Sequence, residues 1–222
     1  MRLEVGSLPV PLGVLVSGGG SNLQAILNAS REGELRGVAA VALVIANHVA
    51  APALVRAQAA NVPTAVVERE SYASRLAQQL EIASKLKVAG VRLVVCAGFD
   101  RILAPEAVEE IGVPILNLHP SLLPAFGGGL YAIRDALAHG VKVTGCTVHL
   151  IAGDYGVDAG PIVAQEAVLV ADEDDEASLS QRVHAAEHRT IVRAIRVVCG
   201  GGLRVEGRRV LATATKLAID KH

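Results

Sequence analysis

Through the first 120 residues, short runs of Val, Ile and Leu alternate with Ala-rich stretches of helical spacing. Segments 12–16, 41–46, 63–67, 91–97 and 114–118 read as strands. Between them, helices are expected at 23–29, 51–60, 72–86 (with Leu76, Leu80 and Ala83 on one face) and 105–111. The strand runs are apolar nearly throughout instead of alternating, as strands covered on both faces require. Repeated strand–helix–strand units lead to a parallel sheet, because each crossover between parallel neighbours needs about a helix's length of chain. The fold class expected is α/β, a doubly wound, mostly parallel sheet with helices on both faces.

Beyond residue 120 the pattern changes. A Pro- and Gly-rich loop at 120–129 leads to a short helix near 133–139, then to alternating strands at 142–151 and 161–170. The acidic run Asp172-Glu173-Asp174-Asp175-Glu176 precedes a long helix at about 177–198, which glycines at 200–202 end. Carboxylates suit the positive end of a helix dipole, so a solvated cap is the plain reading of that run. Segments 203–205 and 208–211, with Gly207 in the turn, suggest a terminal hairpin. With no repeat and no linker, 1–222 reads as a single domain. Its Rossmann-like parallel half covers about 12–120, and a mixed, antiparallel part covers about 121–222.

Composition narrows the partners. Lys and Arg number 21 against 22 Asp and Glu, a net charge of −1, so no basic excess recruits nucleic acid or an anionic membrane. Two Phe, three Tyr and no Trp leave too few rings for a base-stacking platform, and the core must be aliphatic. A mean hydropathy of +0.42 raises the question of a membrane span. The longest apolar run, 38–46, is nine residues, about half of what crosses a bilayer. No secretory signal opens the sequence. Cys96, Cys146 and Cys199 lack C-x-x-C spacing, so reduced thiols in a cytoplasmic protein are expected. Small molecules are the expected partners of a monomer or homodimer.

Three segments could carry chemistry. Ser17-Gly18-Gly19-Gly20-Ser21-Asn22 joins the first strand to the first helix. Glycines there let backbone approach an anion, and the helix N-terminus supplies N–H donors. No Lys-Ser/Thr pair follows, so it is not a Walker A loop. Leu23 replaces the third glycine of G-x-G-x-x-G, so one phosphate fits better than a dinucleotide and a nicotinamide-dependent oxidoreductase is weakened. The second segment is Asn117-Leu118-His119-Pro120, at the carboxyl end of the fifth strand, where open α/β sheets bind ligands. Alternation puts Asn117 and His119 on one side, an oxyanion donor beside a proton carrier. The third is Asp158-Ala159-Gly160-Pro161, ordinary turn chemistry unless the fold brings Asp158 to His119. His184-Ala185-Ala186-Glu187-His188 matches an inverted zinc-peptidase signature, but no third ligand is evident and no metal is expected.

Taken together these residues resemble the folate-dependent formyltransferases, and within them the phosphoribosylglycinamide formyltransferase family of purine synthesis. The stretches are 14–24 (V-L-V-S-G-G-G-S-N-L-Q), 97–103 (A-G-F-D-R-I-L), 116–124 (L-N-L-H-P-S-L-L-P), 145–149 (G-C-T-V-H) and 157–162 (V-D-A-G-P-I). The resemblance implies a catalytic trio of Asn117, His119 and Asp158. It implies a substrate phosphate on Gly20, Ser21 and Asn22, with His184 and Glu187 at the rest of the ribosyl amine. It implies the co-substrate 10-formyltetrahydrofolate beside Arg69, Arg101, Ile102 and Leu103, on the side of the antiparallel part.

The sequence departs from that family at Asp100, where Met is usual. It departs again at 125–131 (A-F-G-G-G-L-Y) and between His149 and Asp158, both longer than usual, which makes Asp154 a rival carboxylate to Asp158. The alternatives are a 10-formyltetrahydrofolate hydrolase and a phosphate-ligand binding protein without turnover.

Overall fold

The computed structural model describes residues 8–152, 155–201 and 203–212. Five strands form its parallel part: β1 (Val10–Val16), β2 (Ala39–Ala46), β3 (Thr64–Val66), β4 (Leu93–Cys96) and β5 (Ile115–His119). They lie in the order β3-β2-β1-β4-β5, every neighbouring pair parallel. Helices α1 (Ser21–Glu32), α2 (Pro52–Ala59), α3 (Arg75–Val88) and α4 (Pro105–Ile111) make the crossovers. Alternate residues of one strand feed opposite cores, which is why these runs are apolar throughout. Leu93 and Val95 of β4 join the core under α1 and α2, whereas Val94 and Cys96 join the core under α3.

Helix ends differ from the apolar spacing where caps decide them. α1 begins at Ser21 because Gly20, at φ 73°, turns β1 straight into it. α3 begins only at Arg75 because Ser74 caps it, its side chain accepting from the Ala77 N–H at 3.0 Å.

The remaining elements are α5 (Ala132–His139), β6 (Val143–Leu150), β7 (Ile162–Leu169), α6 (Glu176–Cys199), β8 (Leu203–Glu206) and β9 (Arg209–Ala212). β6 runs antiparallel to β5, and β7 antiparallel to β6. The β8–β9 hairpin then joins the same sheet beside β7, giving nine strands among the described residues. The acidic run is the cap of α6. Asp175 accepts from the Ser178 N–H at 2.8 Å while Ser178 Oγ accepts from the Asp175 N–H at 3.1 Å, and Arg182 pairs with Asp174. α6 packs its Ile191, Ala194 and Ile195 into the α1 core, so the long helix bridges the parallel and antiparallel parts. Among the described residues no helix is long and apolar enough to cross a membrane.

Strand order reverses between β1 and β4, and there the crossover helices part to opposite faces. That leaves a crevice at the carboxyl ends of β1, β4 and β5.

Candidate active site

The turn after β1 is bare by necessity at one glycine and open at two. A Cβ on Gly20 would stand 2.6 Å from the Ala53 Cβ of α2, whereas one on Gly18 or Gly19 would meet nothing within 4 Å. No side chain caps α1, so its first N–H groups remain available to an anion, reinforced by the helix dipole. Arg56 of α2 donates through Nε to the Gly19 carbonyl at 2.8 Å, which brings a guanidinium to the turn that lacks a basic residue of its own. These groups line a cavity of about 510 Å³ that His184, Glu187 and Arg134 close on the other side. Asn22 donates to Glu187 Oε2 at 3.1 Å, and both side chains are buried. Burial pushes the Glu187 carboxyl above its ordinary range, against the opposing pull of the Asn22 hydrogen bond and of His184 and His119.

At the end of β5 the second cluster forms. His119 is 5% exposed, with Nδ1 at 3.3 Å from Asp158 Oδ2 and Nε2 donating to the Phe126 carbonyl at 2.9 Å. Asn117 Nδ2 lies 3.3 Å from Asp158 Oδ1 and 3.1 Å from His149 Nε2. The β5–β6 register sets that last contact, since Asn117 stands directly opposite His149. Asp158 adopts φ 51°, a left-handed conformation that Asp tolerates, and its Oδ2 accepts the Gly128 N–H at 2.8 Å. Burial works to raise its carboxyl. The His149 hydrogen bond, the Gly128 N–H and the His119 charge outweigh that, so it titrates below the usual carboxylate range.

The cluster opens into a cavity of about 700 Å³, walled by Phe99, Ile102, Leu103, Val108 and Ile151 and polar at the Asp158 end. Gly98, Leu118, Pro120 and Leu130 line both cavities, so the two are halves of one cleft.

Most residues singled out in the sequence therefore converge here. Gly20, Ser21, Asn22, His184 and Glu187 share the smaller cavity; Asn117, His119, Asp158, Arg101, Ile102 and Leu103 share the larger. Arg69 does not line either. It lies in a short 3-10 turn, Arg69–Ser71, with its guanidinium on the Tyr72 carbonyl at 2.7 Å. Asp154 lies outside the described residues. The zinc-like spacing on α6 sits in unlike surroundings, Glu187 buried and bonded to Asn22 and His184 exposed at the rim of the same cavity. Among the described residues no group of three His, Cys, Asp or Glu is placed to hold a metal. Sequence reasoning missed two members. Arg56 sits on a distant helix with no motif around it. His149 was visible only as the end of G-C-T-V-H, and its role appears once β6 pairs with β5.

A switch-point crevice with a bare glycine turn, joined to a cluster of imidazole, amide and carboxylate, has the groups that proton transfer and oxyanion stabilisation call on. The chain belongs to the formyl transferase family, whose model matches residues 12–195. It is 43% identical over 188 residues to the trifunctional purine biosynthetic protein adenosine-3 of Drosophila melanogaster, covering 85% of this chain and 14% of that much longer protein. It is 41% identical over 202 residues to phosphoribosylglycinamide formyltransferase of Mycobacterium tuberculosis, covering 91% of each. Among solved structures it is similar to glycinamide ribonucleotide transformylase 1 from Symbiobacterium toebii, with a TM-score of 0.86 and 45% identity over 91% of this chain and 93% of that one.

Proposed function

We propose that the chain transfers a formyl group from 10-formyltetrahydrofolate to the amine of 5'-phosphoribosylglycinamide, in purine biosynthesis. The observation that carries this reading is the joined cleft: an anion site at the glycine turn opens, past Gly98 and Leu118, onto the Asn117–His119–Asp158 cluster. A phosphate on Gly20, Ser21 and Asn22, neutralised by Arg56, anchors the acceptor. The buried Glu187 and the exposed His184 face the sugar and amide. The larger cavity suits a fused heterocycle: about 700 Å³ with apolar walls and polar backbone at 101–103.

The folate supplies an activated formyl group, and the chain's residues handle charge and protons. As the amine adds to the formyl carbon, negative charge grows on its oxygen. Asn117 Nδ2 supplies one donor to it, and protonated His119 supplies a second once its Nε2 gives up the Phe126 carbonyl that it bonds in this structure. Asp158, ionised at neutral pH, holds the imidazolium and orients Asn117. When the carbon–nitrogen bond to the folate breaks, the departing nitrogen takes a proton and the new amide loses one. His119 and Asp158 are the groups in reach of both transfers. No step calls for a metal. We place the reaction in the cytoplasm, in keeping with the buried free thiols Cys96, Cys146 and Cys199, with the enzyme a monomer or homodimer.

Release of deformylated folate tests the reading. Release only when phosphoribosylglycinamide is present supports the transferase. Release without it means a hydrolase, and nucleotide affinity without release means a binding protein.

A further inference from the structure

Asp100 stands on the wall of the larger cavity, with 38% of its side chain exposed, yet one oxygen is turned inward to the ends of two other strands. Its Oδ1 accepts from Ser17 Oγ at 2.8 Å and from Asn47 Nδ2 at 2.7 Å. Its own N–H donates back to Ser17 Oγ at 2.9 Å, so Ser17 and Asp100 are joined twice. Ser17 begins the phosphate turn after β1. Asn47, 3% exposed, follows β2 and donates through its N–H to the Val16 carbonyl at 3.4 Å. Asp100 itself precedes the 101–103 backbone after β4. One carboxylate therefore ties three strand ends, two of which carry the two halves of the cleft.

We propose that Asp100 is a positioning residue that locks the phosphate turn to the donor-binding segment, so that a ligand anchored on one half is held in register with the other. The inference rests on the two-substrate reading above and deepens it. Formyl transfer needs an amine held from its phosphate end to meet a carbon held from its folate end, and slack between the two supports lowers the fraction of bound pairs in attacking geometry. Among the described residues, apart from the Ser17 N–H on the Gly98 carbonyl at 3.0 Å and the Asp100 N–H on Ser17 Oγ at 2.9 Å, this carboxylate is what links the turn to residues 98–103. The lock stays charged. Burial raises the carboxyl, but the bonds from Ser17 and Asn47, with Arg101 and His48 nearby, bring it below the usual range. It also explains how a charge is accommodated beside an apolar cavity: the hydrogen bonds face inward, and Arg101 Nε lies 3.6 Å from Oδ1.

The test uses the whole protein and ribose 5-phosphate as the probe. Asp100→Ala and Ser17→Ala each cut the lock from one side, and Asp100→Asn keeps an oxygen to accept both bonds. The dissociation constant for ribose 5-phosphate, titrated alone, is expected to rise about three- to tenfold in Asp100→Ala and in Ser17→Ala, the loss of a hydrogen bond to a part-exposed charge. KM for the formyl donor should rise with it, and Asp100→Asn should stay within about twofold of the parent. The double variant should bind no more weakly than either single one, because both remove the same link. An unchanged dissociation constant in Ser17→Ala overturns the proposal even if Asp100→Ala fails to fold. So does Asp100→Asn behaving like a full loss, or a double variant whose losses add. The titration needs no turnover, so a parent protein that transfers no formyl group would overturn the proposed reaction while leaving the lock to be judged by binding.

Discussion

At the scale of single residues, the cluster divides labour by environment. Asn117 and His119 are legible in the sequence because two-residue spacing at a strand end fixes their common side. Asp158 is legible only through the Gly160-Pro161 that follows it. His149 is not legible, because its partner lies across a strand pair that no local pattern announces. Removing the imidazole in His119→Ala should lower kcat by about two to four orders of magnitude, the loss of a proton carrier together with an oxyanion donor. Steady-state kinetics with both substrates saturating checks it, and a normal kcat would remove His119 from the chemistry. Asp158 yields a pH prediction. Its folded carboxyl titrates below the ordinary 3.8 of the unfolded chain, so its contribution to stability is present above that value and lost as pH falls through the folded value. The stability gap between the parent and Asp158→Asn, from urea titrations, should therefore shrink as pH falls below about 3.8. A gap that widens over that acid range would mean the carboxyl is raised.

At the scale of elements, strands β1 to β5 and their helices follow from apolar runs and turn residues, because both are local signals. What is not local is where the last hairpin goes. Its sequence marks a turn at Gly207, but its placement beside β7 is a long-range pairing, and its position over the site is stranger still. Tyr155 Oη donates to the Gly207 carbonyl at 2.9 Å, and Arg208 Nη1 donates to the Ala159 carbonyl at 2.8 Å, with its guanidinium 5.5 Å from the Tyr155 ring. The β8–β9 turn thus buttresses the lengthened loop in which Asp158 holds its left-handed backbone. This hairpin lies beyond the family match at 12–195. Arg208→Ala should raise KM for the formyl donor by about two- to fivefold, because the loop that walls the cavity loses one exposed anchor of modest worth. Binding of ribose 5-phosphate, on the far half of the cleft, should be unchanged. Loss of both affinities together would instead point to general destabilisation.

At the scale of the whole molecule, the question is whether the parallel and antiparallel parts behave as one unit. The sequence suggests a single domain only because it offers no linker, which is weak ground. The stronger ground is physical: one hydrophobic core holds Val14 and Ile26 from the parallel part together with Val148, Ala186 and Ile195 from the rest. α6 cannot leave that core without exposing apolar surface of α1, and β6 cannot leave it without unpairing β5, which carries Asn117 and His119. Neither part can open alone without losing part of the active cleft. Unfolding should accordingly be one calorimetric transition with matching calorimetric and van't Hoff enthalpies. On the proposed function ribose 5-phosphate touches chiefly the glycine turn, yet it should move that transition as a whole. At about one hundred times its dissociation constant, the ligand adds roughly 2.7 kcal/mol, or about 5–10 °C in Tm for a chain of this size. Two resolved transitions, with the ligand shifting only one, would show that the parts fold separately. The joined cleft would then be an interface between two bodies free to move against each other, and a lock at Asp100 could not hold the His119–Asp158 pair in register with the phosphate turn.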